Sequence, residues 1–362
     1  PLILRRMEAA SLNSEITFTE KEQTLLDKKF VGDCESIEAL WQCTTCGACM
    51  EECPVLIEHV PAIVEMRRSL VMMEANFPPE LQSSFSNLEN NSTPWAFSSS
   101  QRADWAEGTG IKTAAEDPDF DILFWVGCSG SFDDRAIKIS KAFAKLMQIA
   151  GINFRILGNE EQCNGDFARR TGNEYLADML IKANLQTLSN YNFKKIVTIC
   201  PHCFNTFKNE YPDFGANYEV VLHTEFLSGF IKQGKLKIKK LNVKQQSLAY
   251  HDSCYSGRYN NLYEYPRNII NAIPGLKLNE VERCKDKGFC CGAGGGQMFM
   301  EETVGKRCNI ERTEELVSLS PDIIALNCPF CMTMLTDGIK AMDKVDEIQV
   351  KDISEILLEN VE

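Results

Sequence analysis

The chain has 362 residues, 44% of them hydrophobic and 25% charged, with a formal net charge of −13. That length can hold two or three domains with their own cores, and the acidic balance excludes general phosphate-backbone binding, which needs a basic surface. No apolar run approaches the roughly 18 residues of a bilayer-spanning helix, and the first residues lack the charged-then-apolar form of a signal peptide.

In chain order, residues 35–42 (ESIEALWQ) predict a short helix running into CTTCGACMEECP. Residues 61–77 have helical periodicity, with Pro61 suited to a first turn. Residues 78–101, rich in Ser, Asn and Pro, read as a long surface connection, either packed across another domain through its Phe and Trp side chains or a partly mobile linker. From about residue 118 strands and helices alternate, which implies parallel sheets. The elements are strand ILFWVGC, a helix over 133–151, strand FRIL, EQCNGD, a helix over 172–188, strand KIVTIC and then PHCFNTF. The pattern starts again at SLAYHDSC and passes through YEYPRNIINAI and GFCCGAGGG to DIIALNCPFC. The expected architecture is therefore α/β, with two pseudo-symmetric units of small parallel sheet behind a helical N-terminal domain.

Sixteen cysteines are the outlying number, and thirteen fall into three ordered sets. Regular spacing in a chain of this size reads as metal ligation and not as a disulfide framework. Cys43, Cys46, Cys49 and Cys53, followed by Pro54, form C-x-x-C-x-x-C-x-x-x-C-P. Three such thiolates hold three irons of a [4Fe–4S] cube, and the fourth, before proline, serves a different cluster. A zinc site is the alternative, although zinc motifs normally pair two C-x-x-C units. A partner motif is missing, so a segment before Pro1 is expected to carry it, with Cys34 the substitute if the chain is complete. The other sets repeat. Cys128, Cys163-Asn164-Gly165 and Cys200-x-x-Cys203 match Cys254, Cys290-Cys291-Gly292 and Cys328-x-x-Cys331 within one residue of spacing. Cys128, Cys200, Cys254 and Cys328 each follow an apolar strand, where open α/β sheets build their sites. GFCCGAGGGQ lacks the glycine spacing and the lysine of a phosphate loop. A Cys290–Cys291 disulfide would leave Cys254, Cys328 and Cys331 unused.

These sets, with WQCTTCGACMEECPV, RRTGNEYL, GFCCGAGGGQMFMEE and NCPFCMTML, resemble the cysteine-rich CCG domain found twice in the heterodisulfide reductase catalytic subunit and its relatives. The resemblance runs from the first cysteine motif to about residue 345. It looks closest to the membrane-linked iron–sulfur oxidoreductases that work with electron-transfer flavoprotein. It implies a helical ferredoxin-like domain (1–77), a connecting segment (78–117), a first CCG domain with four cysteines (118–240) and a second with five and a C-terminal helix (241–362). In that family a complete set (here Cys254, Cys290, Cys291, Cys328 and Cys331) holds a non-cubane [4Fe–4S] cluster. The first set (Cys128, Cys163, Cys200 and Cys203), with Asn164 in place of the fifth cysteine, is left with an ordinary cubane. A metal-free remnant is the alternative there. The resemblance further implies electron transfer between a flavoprotein and a membrane quinone pool, with a membrane-anchoring subunit or segment, at the inner face of the cytoplasmic membrane. The runner-up is disulfide cleavage at the five-cysteine centre by a heterodisulfide or other thiol–disulfide reductase. A non-redox zinc interaction module is the third class.

Secondary roles follow from cluster charge. Gly292, Gly294, Gly295 and Gly296 are expected to let backbone approach sulfur, and Pro201 and Pro329 to open helices facing the clusters. Arg169, Arg170, Arg258 and Arg267 are candidates for charge compensation. His251 and His202 could gate protons, His202 being equally suited to a surface or supporting place. His223 is expected to satisfy a local hydrogen bond and His59 to pack or lie at the surface. Cys34, Cys284 and Cys308 remain as ordinary thiols.

Overall fold

A computed structural model describes residues 18–239 and 245–362. The expected domain boundary at 240/241 and the first 17 residues of the expected ferredoxin-like domain lie outside the described residues. The chain divides into two compact units, Pro1–Gln42 and Cys43–Glu362. In the first, helix Glu20–Leu26 is set by a capping box in which Thr19 accepts from the Glu22 amide and the Glu22 carboxylate accepts from the Thr19 amide. The expected short helix forms at Ile37–Gln42. Cys34 ends the bend Phe30–Cys34 and is exposed.

The second unit contains two four-stranded parallel sheets of the same topology. Strands β1 (Ile122–Trp125), β2 (Phe154–Arg155), β3 (Lys195–Thr198) and β4 (Val220–Leu222) lie in the order β2-β1-β3-β4. Strands β5 (Gln246–Tyr250), β6 (Leu276–Asn279), β7 (Ile323–Leu326) and β8 (Gln349–Asp352) lie in the order β6-β5-β7-β8. Ile122 pairs with Phe154 on one side and Lys195 on the other, and Leu248 pairs with both Leu278 and Ile323. All four residues of β1 and of β7 are buried, as continuous apolar runs covered on both faces by helices should be. Of the expected FRIL strand only Phe154–Arg155 pairs as strand, since Leu157 already leads into the turn Gly158–Glu160.

The two sheets share a core. Phe143 from helix Asp134–Ile149 and Leu227 from helix His223–Lys232 belong to the same buried cluster as Leu248, Ile270, Ile356 and Leu357. Burying each such side chain contributes about 1.5–3 kcal/mol. Arg135 adds a two-pronged ion pair to Glu355 and a bond to the Val350 carbonyl. Among the described residues, no helix is long and apolar enough to cross a membrane.

The segment at 78–101 differs from its reading as an irregular connection. Glu80–Asn91 is a helix that buries Leu81, Phe85 and Leu88, whose spacing is one helical face. Its Ser and Asn residues fill the solvent face and hide the stripe. Beyond Ser92, which ends the helix in a left-handed turn, the chain packs closely, as its aromatic residues suggest. Trp95 stacks on Phe330 and tilts against Phe299, and Phe97 stacks on Phe132. The helix expected over 61–77 runs His59–Met73, so Pro61 does fall in its first turn, and Ala75 ends it at a positive φ.

Candidate metal centres

The central parallel strands deliver the cysteines that follow them to the carboxyl edge of their sheet. In the second repeat Cys254 follows β5, and Cys328 caps helix Pro329–Ala341 after β7. Cys290 and Cys291 enter from the glycine-rich loop. The five thiols form one buried contact series, Cys254–Cys290–Cys291–Cys331–Cys328. Backbone amides point at the sulfurs. Gly292 N donates to Cys290 Sγ at 3.3 Å, and the amides of Phe330 and Cys331, at the helix N-terminus, reach Cys328. Hydrogen bonds from Cys290 and Cys331 hold the Cys291 thiol down at about 5. Burial works to raise the Cys328 thiol, but Cys331 and then His202 outweigh it and leave it at about 7. Cys254 and Cys331 are pushed up by hydrogen bonds to neighbouring sulfurs and by burial, and it is the clustering of buried sulfur under backbone amides that suits the ligands of a metal cluster.

The first repeat is similar with one ligand fewer. Cys128, Cys163, Cys200 and Cys203 line one pocket with Asn164, His202 and Phe330. Asn164 fills the fifth position, its Nδ2 donating to the Cys203 carbonyl at 3.5 Å and its Oδ1 accepting from the Asp166 amide at 3.2 Å at the start of helix Asp166–Arg170. Four thiols thus remain for a centre, enough for an ordinary cube.

The residue that sequence reasoning missed here is Arg102, fully buried in the expected connecting segment. It donates to Cys128 Sγ at 3.5 Å, to Glu161 at 3.0 Å and to the Ser92 carbonyl at 2.8 Å. The Cys163 contact brings the Cys128 thiol to about 6, with burial opposing and Arg102 reinforcing. Only an arginine among small and polar residues beside a tryptophan in SSSQRADW could have signalled it.

In the third set Cys43 and Cys46 sit on the loop leading into helix Ala48–Glu51 and Cys49 in its first turn, and the three sense each other's charge. This loop seats directly on the second centre. Cys46 contacts Cys290 through its side chain. The glycine cluster, expected to make room for sulfur, makes room for this loop. A Cβ on Gly294 would lie 2.2 Å from the Thr44 carbonyl oxygen, and one on Gly295 2.3 Å from that of Cys43. One on Gly296 would meet the Thr171 methyl, and one on Gly292 would meet Cys308. Buried Arg67 clamps the junction, donating to the Cys43, Gly295 and Arg170 carbonyls. Arg258, from the charge-compensation candidates, ties the Cys46 carbonyl to the Gly288 carbonyl. Cys53 lies apart, accepting from the Ile57 amide, beside exposed Val55 and Leu56.

The remaining candidates divide. His202 is buried, its Nδ1 3.0 Å from Asp166, its ring stacked 4.0 Å from Tyr255. Tyr255 in turn stacks on Tyr259, and both hydroxyls reach Thr45. The aromatic series thus touches all three cysteine sets. Arg170 pairs with Asp166 and Glu210 and lies over Tyr255, while Arg169 pairs with Glu174 and Glu210. Arg267 is taken up by Asp252 and Glu280, not by sulfur. The local hydrogen bond expected of His223 is absent: its ring packs edge-on to Phe143, and its nearest acceptor is Asp352, 3.4 Å away in the other repeat. His59 opens its helix, partly buried. Cys308 bonds Glu302, and Cys284 is half-buried.

Comparison with known proteins agrees with the repeat. The cysteine-rich CCG domain model matches residues 122–208 and 248–336. The chain is 42% identical along its whole length to the EtfAB:quinone oxidoreductase of Syntrophomonas wolfei, covering 52% of that protein. It is 44% identical over 91% of its length to the probable iron-sulfur-binding oxidoreductase FadF of Bacillus subtilis, covering 48% of it. It is 31% identical over 88% of its length to a dihydromethanophenazine:CoB–CoM heterodisulfide reductase polypeptide of Methanosarcina mazei, covering 76% of it. The chain thus spans about half the length of these first two relatives.

Proposed function

Because this chain belongs to the CCG family of iron–sulfur oxidoreductases, we propose that it carries electrons between a flavoprotein, electron-transfer flavoprotein being the first to try, and a membrane quinone pool. The observation that carries the reading is the seating of the Cys43–Cys49 loop on the five-cysteine centre, with Cys46 against Cys290. Two redox centres in such contact form a relay, and a free-standing zinc module would have no use for the contact. Residues 18–77 are the described part of a ferredoxin-like domain (1–77) holding a [4Fe–4S] cube through Cys43, Cys46 and Cys49. Cys53 ligates a further cluster with thiolates from elsewhere. Cys254, Cys290, Cys291, Cys328 and Cys331 hold a non-cubane [4Fe–4S] cluster, and Cys128, Cys163, Cys200 and Cys203 hold a cube. Bound clusters supply one-electron carriers. The protein's own residues supply the donors and charge that tune them: the amides of Gly292 and Phe330, the guanidinium of Arg102 at the first site, and Arg258 at the junction.

The resemblance to an EtfAB:quinone oxidoreductase supports the flavoprotein and quinone ends of the relay. The same reading takes the chain to work at the inner face of the cytoplasmic membrane, held there by a membrane-anchoring segment or subunit. The test is to mix the anaerobically purified chain with reduced electron-transfer flavoprotein and follow bleaching of the cluster absorbance. Rapid bleaching that is lost in Cys46→Ser supports the relay. Turnover of a disulfide without any flavoprotein would contradict it and favour a thiol–disulfide reductase, as the likeness to the heterodisulfide reductase would then suggest.

A further inference from the structure

The two repeats differ at a second position besides Asn164, and that difference lies inside the five-cysteine centre. Three residues before Cys254 stands His251; three residues before Cys128 stands Trp125. Both end an apolar strand run and both are buried. The ring nitrogen of His251 and the sulfurs of Cys291 and Cys331 all lie within 4.8 Å of one another. Arg312 Nε donates to His251 Nδ1 at 3.0 Å, which leaves Nε2 as the ring nitrogen to engage sulfur. Arg312 is itself fully buried and fixed by the Arg283 carbonyl at 2.9 Å and Glu315 at 2.7 Å. Sixteen residues before Cys328, it corresponds in the first repeat to Asn184, which instead binds the Cys163 carbonyl. The histidine and its arginine are thus present together in one repeat and absent together in the other.

Arginine has only donors to offer and keeps its proton. An Nδ1 that accepts from it carries no hydrogen, so in the neutral ring the single proton sits on Nε2. A metal-bound Nε2 would require the ring to lose both protons. We propose that His251 is a hydrogen-bond donor to the five-cysteine centre, its Nε2–H held toward Cys291 and Cys331 by Arg312. This donor separates the reduction potential of that centre from the potential of the first site. The inference rests on the second set holding a cluster. Hydrogen bonds to ligand sulfur stabilise the reduced, more negative state and so raise the potential. His251 is a positioning residue; at its place in the first repeat Trp125, whose indole N–H makes no hydrogen bond, offers no donor, and the first site has Arg102 on Cys128 instead.

The test uses the cluster-loaded chain with ¹⁵N-labelled histidine, of which there are four residues. Pulsed EPR of the reduced five-cysteine centre should show a weak ¹⁵N coupling that disappears in His251→Gln, in a background that still has His202. In an EPR-monitored redox titration His251→Leu should shift that centre to a more negative potential, with the first site unmoved. His251→Gln, which keeps an N–H, should fall between. Arg312→Met, which frees the ring to place its proton on Nδ1, should shift it in the same direction as His251→Leu. A strong coupling typical of a direct ligand, or iron lost from both His251 variants, would overturn the donor role. So would an unchanged potential in His251→Leu. If the unaltered chain contains no iron, this inference and the proposed function fail together; if it contains iron and shows no coupling, only this inference fails.

Discussion

Alanine at Gly294, Gly295 and Gly305 separates two physical effects at the seat of the cysteine loop. At Gly305 φ is +76° with nothing within 4 Å of a new Cβ, so alanine adds only left-handed strain, about 1–2 kcal/mol. The smaller unfolded-state entropy of alanine offsets about 0.4–1 kcal/mol of that. At Gly294 no left-handed φ is involved, but the Cβ would sit 2.2 Å from the Thr44 carbonyl oxygen, which is backbone and cannot rotate aside. Overpacking costs about 1–3 kcal/mol. Displacing the loop also loosens the Arg67 clamp on the Gly295 and Cys43 carbonyls, worth about 1.5–3 kcal/mol for a bond to a charged group. Gly295, at φ +63° and 2.3 Å from the Cys43 carbonyl oxygen, combines both effects. The expected order of destabilisation is Gly305→Ala, then Gly294→Ala, then Gly295→Ala, the last about 3–5 kcal/mol. Anaerobic urea denaturation at equal slope should resolve this, since 3 kcal/mol moves the midpoint on the order of 1 M. Flavoprotein-driven reduction should slow in Gly294→Ala and Gly295→Ala alone. A Gly294→Ala variant no worse than Gly305→Ala in either assay would refute the seating of the loop on the glycine cluster.

Three further outcomes are expected. Arg102→Gln leaves buried Glu161 without its guanidinium and should cost about 3–5 kcal/mol; iron should be lost from the first site before the second, as quantitative EPR would show, and equal loss from both sites would count against the assignment. Asn164→Cys restores a fifth thiol to the first site and should convert its EPR signal toward that of the second; an unchanged spectrum with full iron would mean that the fifth ligand does not define the cluster type. Burial acts to lower the His202 imidazole, but Asp166 outweighs it and lifts it to about 9, above the ordinary value of about 6.5. Its protonated form therefore stabilises the fold fully below about pH 6.5, and that contribution is lost as pH rises through 9. His202→Gln should be less stable by about 1.5–3 kcal/mol near pH 6, with the gap in melting temperature closing by about pH 10; a gap independent of pH would contradict the assigned ion pair.

Much of the site was legible because its grammar is one-dimensional. Cysteines at the ends of apolar strands, at matching spacing, can only meet if the two sheets have one topology, and β2-β1-β3-β4 repeats as β6-β5-β7-β8. What escaped was carried by contacts between distant segments. Arg102 lies 26 residues before the sulfur it serves, in a stretch whose helix was masked by a Ser- and Asn-rich outer face. Arg67 meets Gly295 across 228 residues, and no local pattern announces such a clamp. The glycines were visible but their neighbour was not: backbone must pass close to Gly294 and Gly295, and only the fold shows that it belongs to Cys43 and Thr44. His223 failed for the same reason, since its nearest acceptor comes from the far repeat.

Everything proposed for the relay depends on the five buried thiols of the second sheet holding an iron–sulfur centre distinct from those of the other cysteine sets. Iron and sulfide analysis combined with EPR of the anaerobically purified chain, unaltered and as Cys291→Ser, decides that point. Brown protein with more than one paramagnetic centre is expected, one of them altered or lost in Cys291→Ser while the others persist. Colourless protein without iron, or a spectrum that Cys291→Ser leaves unchanged, would contradict it.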